Sequence, residues 1–199
     1  NKDVRASAAD SLGKMKSADG KPLQDTVKPL IEALKDQDKL VKLNAALSLG
    51  IMGNSAGVNA LTDIIFEVAD KNVTKPMRFE AAQMLQKLRD KKSVRTFLRI
   101  LPDMDAEMRE IARDTLNGKT TFKPTGEVLR TDPPLIDKDS VPVLKEAMGW
   151  SNNVVRVFAI KAIGKVGDSS VMPDLRKAYR DEDVKIRVAA AESLARLGD

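Results

Sequence analysis

Residues 41–50 read VKLNAALSLG, and this stretch decides the fold because related segments recur along the chain. Each segment has an aliphatic residue, a basic residue, two small residues and then a leucine or isoleucine. Six such segments occur among the 199 residues, and their starts are 37, 36, 31, 47 and 31 residues apart. They begin at Val4, Val41, Met77, Met108, Val155 and Ile186. A repeat of this length is typical of stacked helical units.

Positions counted from each start fall into columns. The residue at +4 is alanine in every copy, and the residue at +8 is leucine or isoleucine. Together with the start, +5 and +11, these columns occupy an arc of about 140° on an α-helix. Each segment is therefore predicted to be a helix buried along this arc, where a small residue lets neighbouring helices approach closely. The alanine column contains Ala8, Ala45, Ala81, Ala112, Ala159 and Ala190.

A second helical pattern lies between successive segments and has an aliphatic stripe of its own. Leu61 and Ile64 belong to one such stripe, and turn-forming pairs such as Asp19-Gly20 and Gly53-Asn54 separate the helices. The alternation typical of strands is essentially absent. The sequence predicts an all-α solenoid of stacked helix pairs.

The segment from Asp3 to Met15 resembles the second helix of a HEAT repeat, and Val27–Asp36 resembles the first helix. More narrowly, both are similar to the HEAT-like repeats of phycobilisome lyases. The resemblance implies an armadillo-type, right-handed α-α superhelix that forms one domain over 1–199, with five helix pairs after an orphan N-terminal helix. The half-repeat and the pairs are expected at about 3–16, 23–52, 57–88, 93–117, 139–166 and 170–197.

The orphan first helix would expose an apolar flank, because terminal repeats normally need a polar cap. Asn1 is not an initiator methionine, so we expect the chain to be a piece of a longer protein. The alternative is that this end docks on another molecule.

The composition excludes several kinds of chemistry. The chain has no histidine and no cysteine, which rules out the usual zinc sites, a histidine base, a thiol nucleophile and disulfides. An oxygen-only Mg²⁺ or Ca²⁺ site stays open.

We expect no catalytic residue, metal site or cofactor. We also expect no membrane span, because no apolar run reaches about 18 residues. A cytoplasmic location is expected, with the periplasm as the alternative.

The +1 column is basic in every copy. This position lies inside the apolar arc, where an unpaired charge is costly. We therefore predict a structural ladder between repeats, with Asp3, Asp38, Asp105 and Asp183 as the available acidic partners, and HEAT repeats are similar in having an Asp/Arg ladder. The alternative is an anion-binding rail. The column contains Arg5, Lys42, Arg78, Arg109, Arg156 and Arg187.

The opposite side of the second helices comprises positions +3, +6 and +10, here called the B-face. The resemblance implies that this face lines the concave surface. It is mostly polar, but Leu47 and Ile51 interrupt it, and Leu43 lies one turn earlier. An exposed apolar patch in a groove indicates a site for a protein or peptide partner. The alternative is that these side chains pack on each other or on an inserted loop. The predicted site contains Leu43, Leu47, Ile51, Phe79, Lys87 and Phe158.

The inserted loop, residues 117–140, accounts for the long spacing of 47 residues. Its prolines exclude a continuous helix, and long loops in compact folds are usually functional or mobile. We expect the loop to fold back onto the solenoid, where it could form one wall of a site. The apolar residues that suggest this are Phe122, Val128, Leu129, Leu135 and Ile136.

Two other functions remain open. Residues 71–99 are strongly basic and could bind nucleic acid or another polyanion, although few aromatic side chains are nearby for base stacking. The lyase resemblance implies a bilin lyase or isomerase activity as a third hypothesis. The sequence predicts no oligomeric state. The polyanion hypothesis rests on Lys87, Arg89, Lys91, Lys92, Arg95 and Arg99.

Overall fold

The computed structural model describes residues 1–122, 124–125 and 128–199, and these residues are mostly helical, which confirms the all-α prediction. Eleven α-helices lie within the described residues. They are α1 Lys2–Lys14, α2 Val27–Ala33, α3 Lys39–Ile51, α4 Val58–Phe66, α5 Lys75–Leu88, α6 Val94–Ile100, α7 Ala106–Asn117, α8 Val141–Ala147, α9 Asn153–Val166, α10 Met172–Ala178 and α11 Val184–Leu197.

The chain divides into two compact units, Asn1–Ser93 and Val94–Asp199. Within each unit, a second helix packs on the first helix of its own pair and on a neighbouring second helix. In the first unit α3 contacts α1, α2, α4 and α5, and in the second unit α9 contacts α8 and α11. This is the stacked arrangement of an α-solenoid, and the right-handed superhelix and the single domain over 1–199 stay predictions.

Polar side chains cap the N-termini of the second helices. Asp38 accepts a hydrogen bond from the backbone N–H of Leu40 (2.9 Å), and Asp183 accepts one from Lys185 (2.7 Å). Such caps satisfy N–H groups that have no partner within the helix. The same role is filled elsewhere by Asn1, Thr74, Asp105 and Asn152.

The alanine column lies in the core, as the sequence predicts. Five of its six members have no exposed surface, and Ala8 is the exception. Ala8 is exposed on α1, where Val4 is also 66% exposed. The expected apolar flank is therefore present on α1.

Glycines at +9 allow successive second helices to touch closely. A Cβ added at Gly13 of α1 would lie 2.3 Å from the Cβ of Ser48 on α3, and one added at Gly164 of α9 would lie 2.6 Å from Oγ of Ser193 on α11. No larger residue fits these contacts without a shift of the facing helix. Glycine is therefore required at both positions.

The facing serines add a hydrogen bond to each contact. Ser48 Oγ donates to the carbonyl of Ala9 on α1, and Ser193 Oγ donates to the carbonyl of Ile160 on α9, each at 2.9 Å. Both serines lie at +7 and are almost fully buried. The same pairing of a +9 glycine with a +7 serine therefore joins neighbouring second helices in both units.

The inserted loop contains a β-hairpin, which the sequence did not predict. Strand β1, Lys119–Phe122, pairs antiparallel with strand β2, Val128–Asp132. Its threonines and valine favour extended backbone. Side chains of β2 lie in water, since Val128 and Leu129 are 58% and 61% exposed, contrary to our expectation.

The segment after the hairpin does return to the helices. Leu135 is 2% exposed and its backbone N–H donates to the carbonyl of Thr115 (3.0 Å). Ile136 is half-buried. The side chain of Phe122 lies outside the described residues. The predicted folding back is thus confirmed for the end of the insertion and wrong for β2.

Candidate functional site

Two members of the basic column link successive repeats, each through an acidic partner other than the predicted one. Arg5 of α1 forms a two-point ion pair with Asp36 (2.6 and 2.9 Å), and Arg156 of α9 forms an ion pair with Asp181. Each aspartate belongs to the turn before the next second helix. Asp38 and Asp183, the predicted partners, cap those helices instead.

The remaining column members are held mainly by carbonyl groups. Arg78 Nε donates to the carbonyl of Ile65 (2.7 Å), and Arg109 reaches two carbonyls of the turn before its own helix at 2.7 and 2.9 Å. Arg187 repeats the geometry of Arg109 at 2.9 and 2.8 Å. Lys42 is half-buried and lines a cavity of about 210 Å³. The bonds of Arg78, Arg109 and Arg187 stay within one repeat, so the ladder over the whole column and the anion-binding rail both stay predictions.

Asp36 shows the electrostatic effect of a ladder contact. The hydrogen bonds from the Arg5 guanidinium and then from the backbone N–H of Asp38 lower the pKa of Asp36 from 3.8 to about 2. The pKa of Asp181 is also lowered, by the backbone N–H of Asp183 and by Arg156. Both carboxylates are therefore charged in the folded protein at neutral pH.

B-face residues of α1, α3 and α5 gather around one cleft in the first unit, here called the B-face cleft. Its volume is about 300 Å³, and Leu47, Ile51 and Lys87 of the predicted site line it. Ile51 is 48% exposed and Leu47 is half-buried. The full lining is Asp10, Asn44, Leu47, Ser48, Ile51, Glu80, Gln83, Met84 and Lys87.

Leu43 does not belong to this surface, because it is only 1% exposed. It lies at +2, a position at which second helices approach each other. Ala6 has the same position in α1, is buried, and accepts a hydrogen bond from Asn44 of α3 (3.0 Å). Phe79 is half-buried outside the cleft lining, and Phe158 is half-buried in the second unit.

The residues of the polyanion hypothesis differ in their surroundings. Lys91 and Lys92 are exposed, and Arg89 ends α5 with a left-handed backbone (φ 52°). Arg95 forms a two-point ion pair with Glu146, whose pKa is lowered by that contact. One of the predicted cations is therefore neutralised, and polyanion binding stays a prediction. Lys87 is exposed at the B-face cleft, and Arg99 is exposed on α6.

Two further cavities lie in the second unit. The larger, about 940 Å³, is an open cleft beside α8 and α10, in which Lys145 forms an ion pair with Asp174 (2.8 Å). The smaller, about 290 Å³, has the end of the insertion as one wall.

Among residues 1–122, 124–125 and 128–199, no cluster of acidic side chains could hold a metal ion. No helix in the described part of the chain is long and apolar enough to cross a membrane.

A sequence profile of HEAT repeats matches residues 1–75 and 135–199. A comparison with the curated proteins finds no match. Among solved structures, the chain is similar to the complex of CpcE and CpcF of phycocyanin lyase from Nostoc sp. PCC7120. The identity is 22%, the match covers 93% of this chain and 69% of that chain, and the TM-score is 0.40.

Two other solved structures are similar at lower identity. An engineered protein is 16% identical over 98% of this chain and 53% of its own, with a TM-score of 0.45. Human deoxyhypusine hydroxylase in complex with glycerol is 17% identical over 100% of this chain and 88% of its own, with a TM-score of 0.33. These likenesses concern the fold, and no activity follows from them.

Proposed function

Because the chain belongs to the HEAT-repeat family, we propose that it is a non-catalytic scaffold that binds a peptide segment of a partner protein in the B-face cleft. Stacked helical repeats offer extended binding surfaces without dedicated chemistry. The observation that carries the proposal is that Leu47, Ile51 and Met84 meet at one cleft on a face that is otherwise polar.

The cleft has the anatomy of a small interface. Its apolar centre comes from α3 and α5, and Asp10, Glu80 and Lys87 stand around it. An apolar core with a polar rim is the usual arrangement of a protein-binding patch. Met84 adds a flexible side chain that can adapt to different ligand shapes. A short segment with one or two large apolar side chains fits this surface best.

The test uses peptides selected from a random display library with the intact protein as bait. We expect the double substitution L47D/I51D to weaken the selected peptides by at least about tenfold, or ~1.4 kcal/mol. The reason is that two carboxylates would replace the apolar centre. Peptide affinity is measured by fluorescence polarisation, and helix content is checked by circular dichroism.

The matched control is V154D/V184D, which places the same charges on exposed valines of α9 and α11. We expect this variant to keep the affinity of the unsubstituted protein. Equal affinity of both variants for the selected peptides would contradict the assignment of the cleft.

A further inference from the structure

The smaller cavity of the second unit, here called the insertion cavity, is the feature that the scaffold role leaves unused. It lies between the C-terminal ends of α7 and α9, and the segment after β2 forms its third wall. Its volume of about 290 Å³ is at the lower end of the range of small-ligand sites. The lining is Leu116, Asn117, Pro134, Ile136, Asp137, Lys138, Ala162, Lys165 and Val166.

The cavity exists because the regular helix contact is interrupted there. Helices α9 and α11 each continue to position +11, whereas α7 ends at +9 with Asn117. Gly164 and Ser193 close the contact between α9 and α11. At the corresponding place α7 ends with Asn117 where α9 has a glycine, and α9 presents Ala162, which has no hydroxyl group. The space that a helix end would fill is left open.

The third wall is part of the folded structure. The backbone N–H of Ile136 donates to the carbonyl of Leu116 (3.5 Å), next to the bond between Leu135 and Thr115. Gly118, with φ 79°, lies so close to the strand end that an added Cβ would be 2.6 Å from the carbonyl oxygen of Asp132. The insertion is thus fixed to α7 at both ends, and the cavity is formed before any ligand arrives.

The interior and the mouth of the cavity differ in chemistry. Leu116, Ile136, Ala162 and Val166 make the interior apolar, and the exposed Lys165 lies at the mouth. No ion pair of Lys165 is present in the described residues. A cation beside an apolar pocket favours a ligand that has an anionic end and an apolar body.

The other charges at the mouth largely offset each other. The Oδ1 atom of Asp137 accepts hydrogen bonds from the backbone N–H of Asp139 (3.1 Å) and from Ser140 Oγ (3.2 Å). Among the charged residues that line the cavity, Lys138 and Lys165 exceed Asp137 by one positive charge, and this matches a monoanion.

We propose that the insertion cavity binds a small monocarboxylate, with the apolar body between α7 and α9 and the carboxylate at Lys165. The site does not depend on the B-face cleft, which lies in the other unit. Its selectivity follows from two requirements. The body must fit an apolar pocket of about 290 Å³, and one negative charge must remain at the mouth.

The probe is 3-phenylpropionate, titrated into the intact protein and followed by amide chemical shifts. We expect saturable shifts at Ala162 and Val166, and an affinity at least about fivefold lower for the neutral 3-phenylpropionamide, since the amide lacks the charge. Lys165→Gln should weaken the acid to a similar extent. The matched control Lys185→Gln, on an exposed lysine of α11, should leave the affinity unchanged.

A second variant, Ala162→Phe, fills the cavity and should abolish the shifts in a protein that keeps its helical circular dichroism. If it does not fold, Lys165→Gln and the amide ligand decide the outcome alone. The absence of saturable shifts would overturn the proposal. Equal affinity for acid and amide would overturn the assignment of a carboxylate ligand, and unchanged binding by folded Ala162→Phe would overturn the location.

Discussion

At the scale of single residues, one arginine and two aspartates join a repeat to the next. In the turn Asp36-Gln37-Asp38, Asp36 forms an ion pair with Arg5, and Asp38 caps the N-terminus of α3. Asp181 and Asp183 divide the same two roles before α11. The sequence pattern identified the cations of these two links and chose the capping aspartates as their partners. Spacing alone could not separate the two, because both lie in the same short turn.

The lowered pKa of Asp36 leads to a prediction about acid stability. Since an unfolded aspartate has a pKa near 3.9 and that of folded Asp36 is about 2, its contribution is complete above about pH 4 and is lost as the pH falls towards 2. We expect Asp36→Asn to lose less stability than the unsubstituted protein between these pH values. The urea midpoint at pH 4 and pH 2 measures this loss.

The control for the acid experiment is Asp25→Asn, in the same unit, where the aspartate is exposed. It should lose stability on acidification as the unsubstituted protein does. An identical acid loss in Asp36→Asn and Asp25→Asn would show that the contact between Arg5 and Asp36 does not contribute to folding.

At the scale of helices, the contact between successive second helices depends on the absence of a side chain. Gly164 faces Ser193, and the hydroxyl of that serine bonds to Ile160. The column analysis placed alanine at +4 in the core but could not reveal this contact. It is formed by +9 of one repeat and +7 of the next, so it appears only when two repeats are compared in space.

Gly164→Ala is therefore expected to destabilise the protein. Alanine gains about 1 kcal/mol in helix propensity, but overlap with Ser193 costs ~1–3 kcal/mol, so we expect a net loss of about 1 kcal/mol. Gly149→Ala serves as the control, because its added Cβ would be no closer than 3.4 Å to a neighbouring atom. Its effect should stay within about 0.5 kcal/mol. Urea unfolding followed at 222 nm compares the two, and a stability of Gly164→Ala at or above the unsubstituted level would contradict the tight contact.

The hairpin is the element that the sequence did not reveal. Periodicity predicts helices well here because each helix has a buried stripe, as Leu61 and Ile64 show. A ribbon with exposed Val128 and Leu129 has no such stripe, and its pairing depends on contacts between strands. The location of Leu135 could be predicted, since one buried anchor is enough to return the chain to the helices.

At the scale of the whole molecule, the repeat pattern predicted which segments are helical and which residues line the B-face cleft. It was less successful for contacts between individual side chains. Leu47, Ile51 and Lys87 were predicted from B-face positions and line one cleft, whereas Leu43, one turn earlier, is in the core. A helical wheel gives the direction of each side chain. It does not show how closely the next helix approaches. Leu43 is buried because neighbouring second helices pack close to it.

The most direct measurement maps a selected peptide on the intact, isotope-labelled protein by amide chemical shifts. We expect the largest changes at Asn44, Leu47 and Gln83, with little change along α8 and α10, because the peptide would lie across α3 and α5. Changes confined to α8 and α10, with none at the B-face cleft, would contradict the proposed scaffold role of this surface.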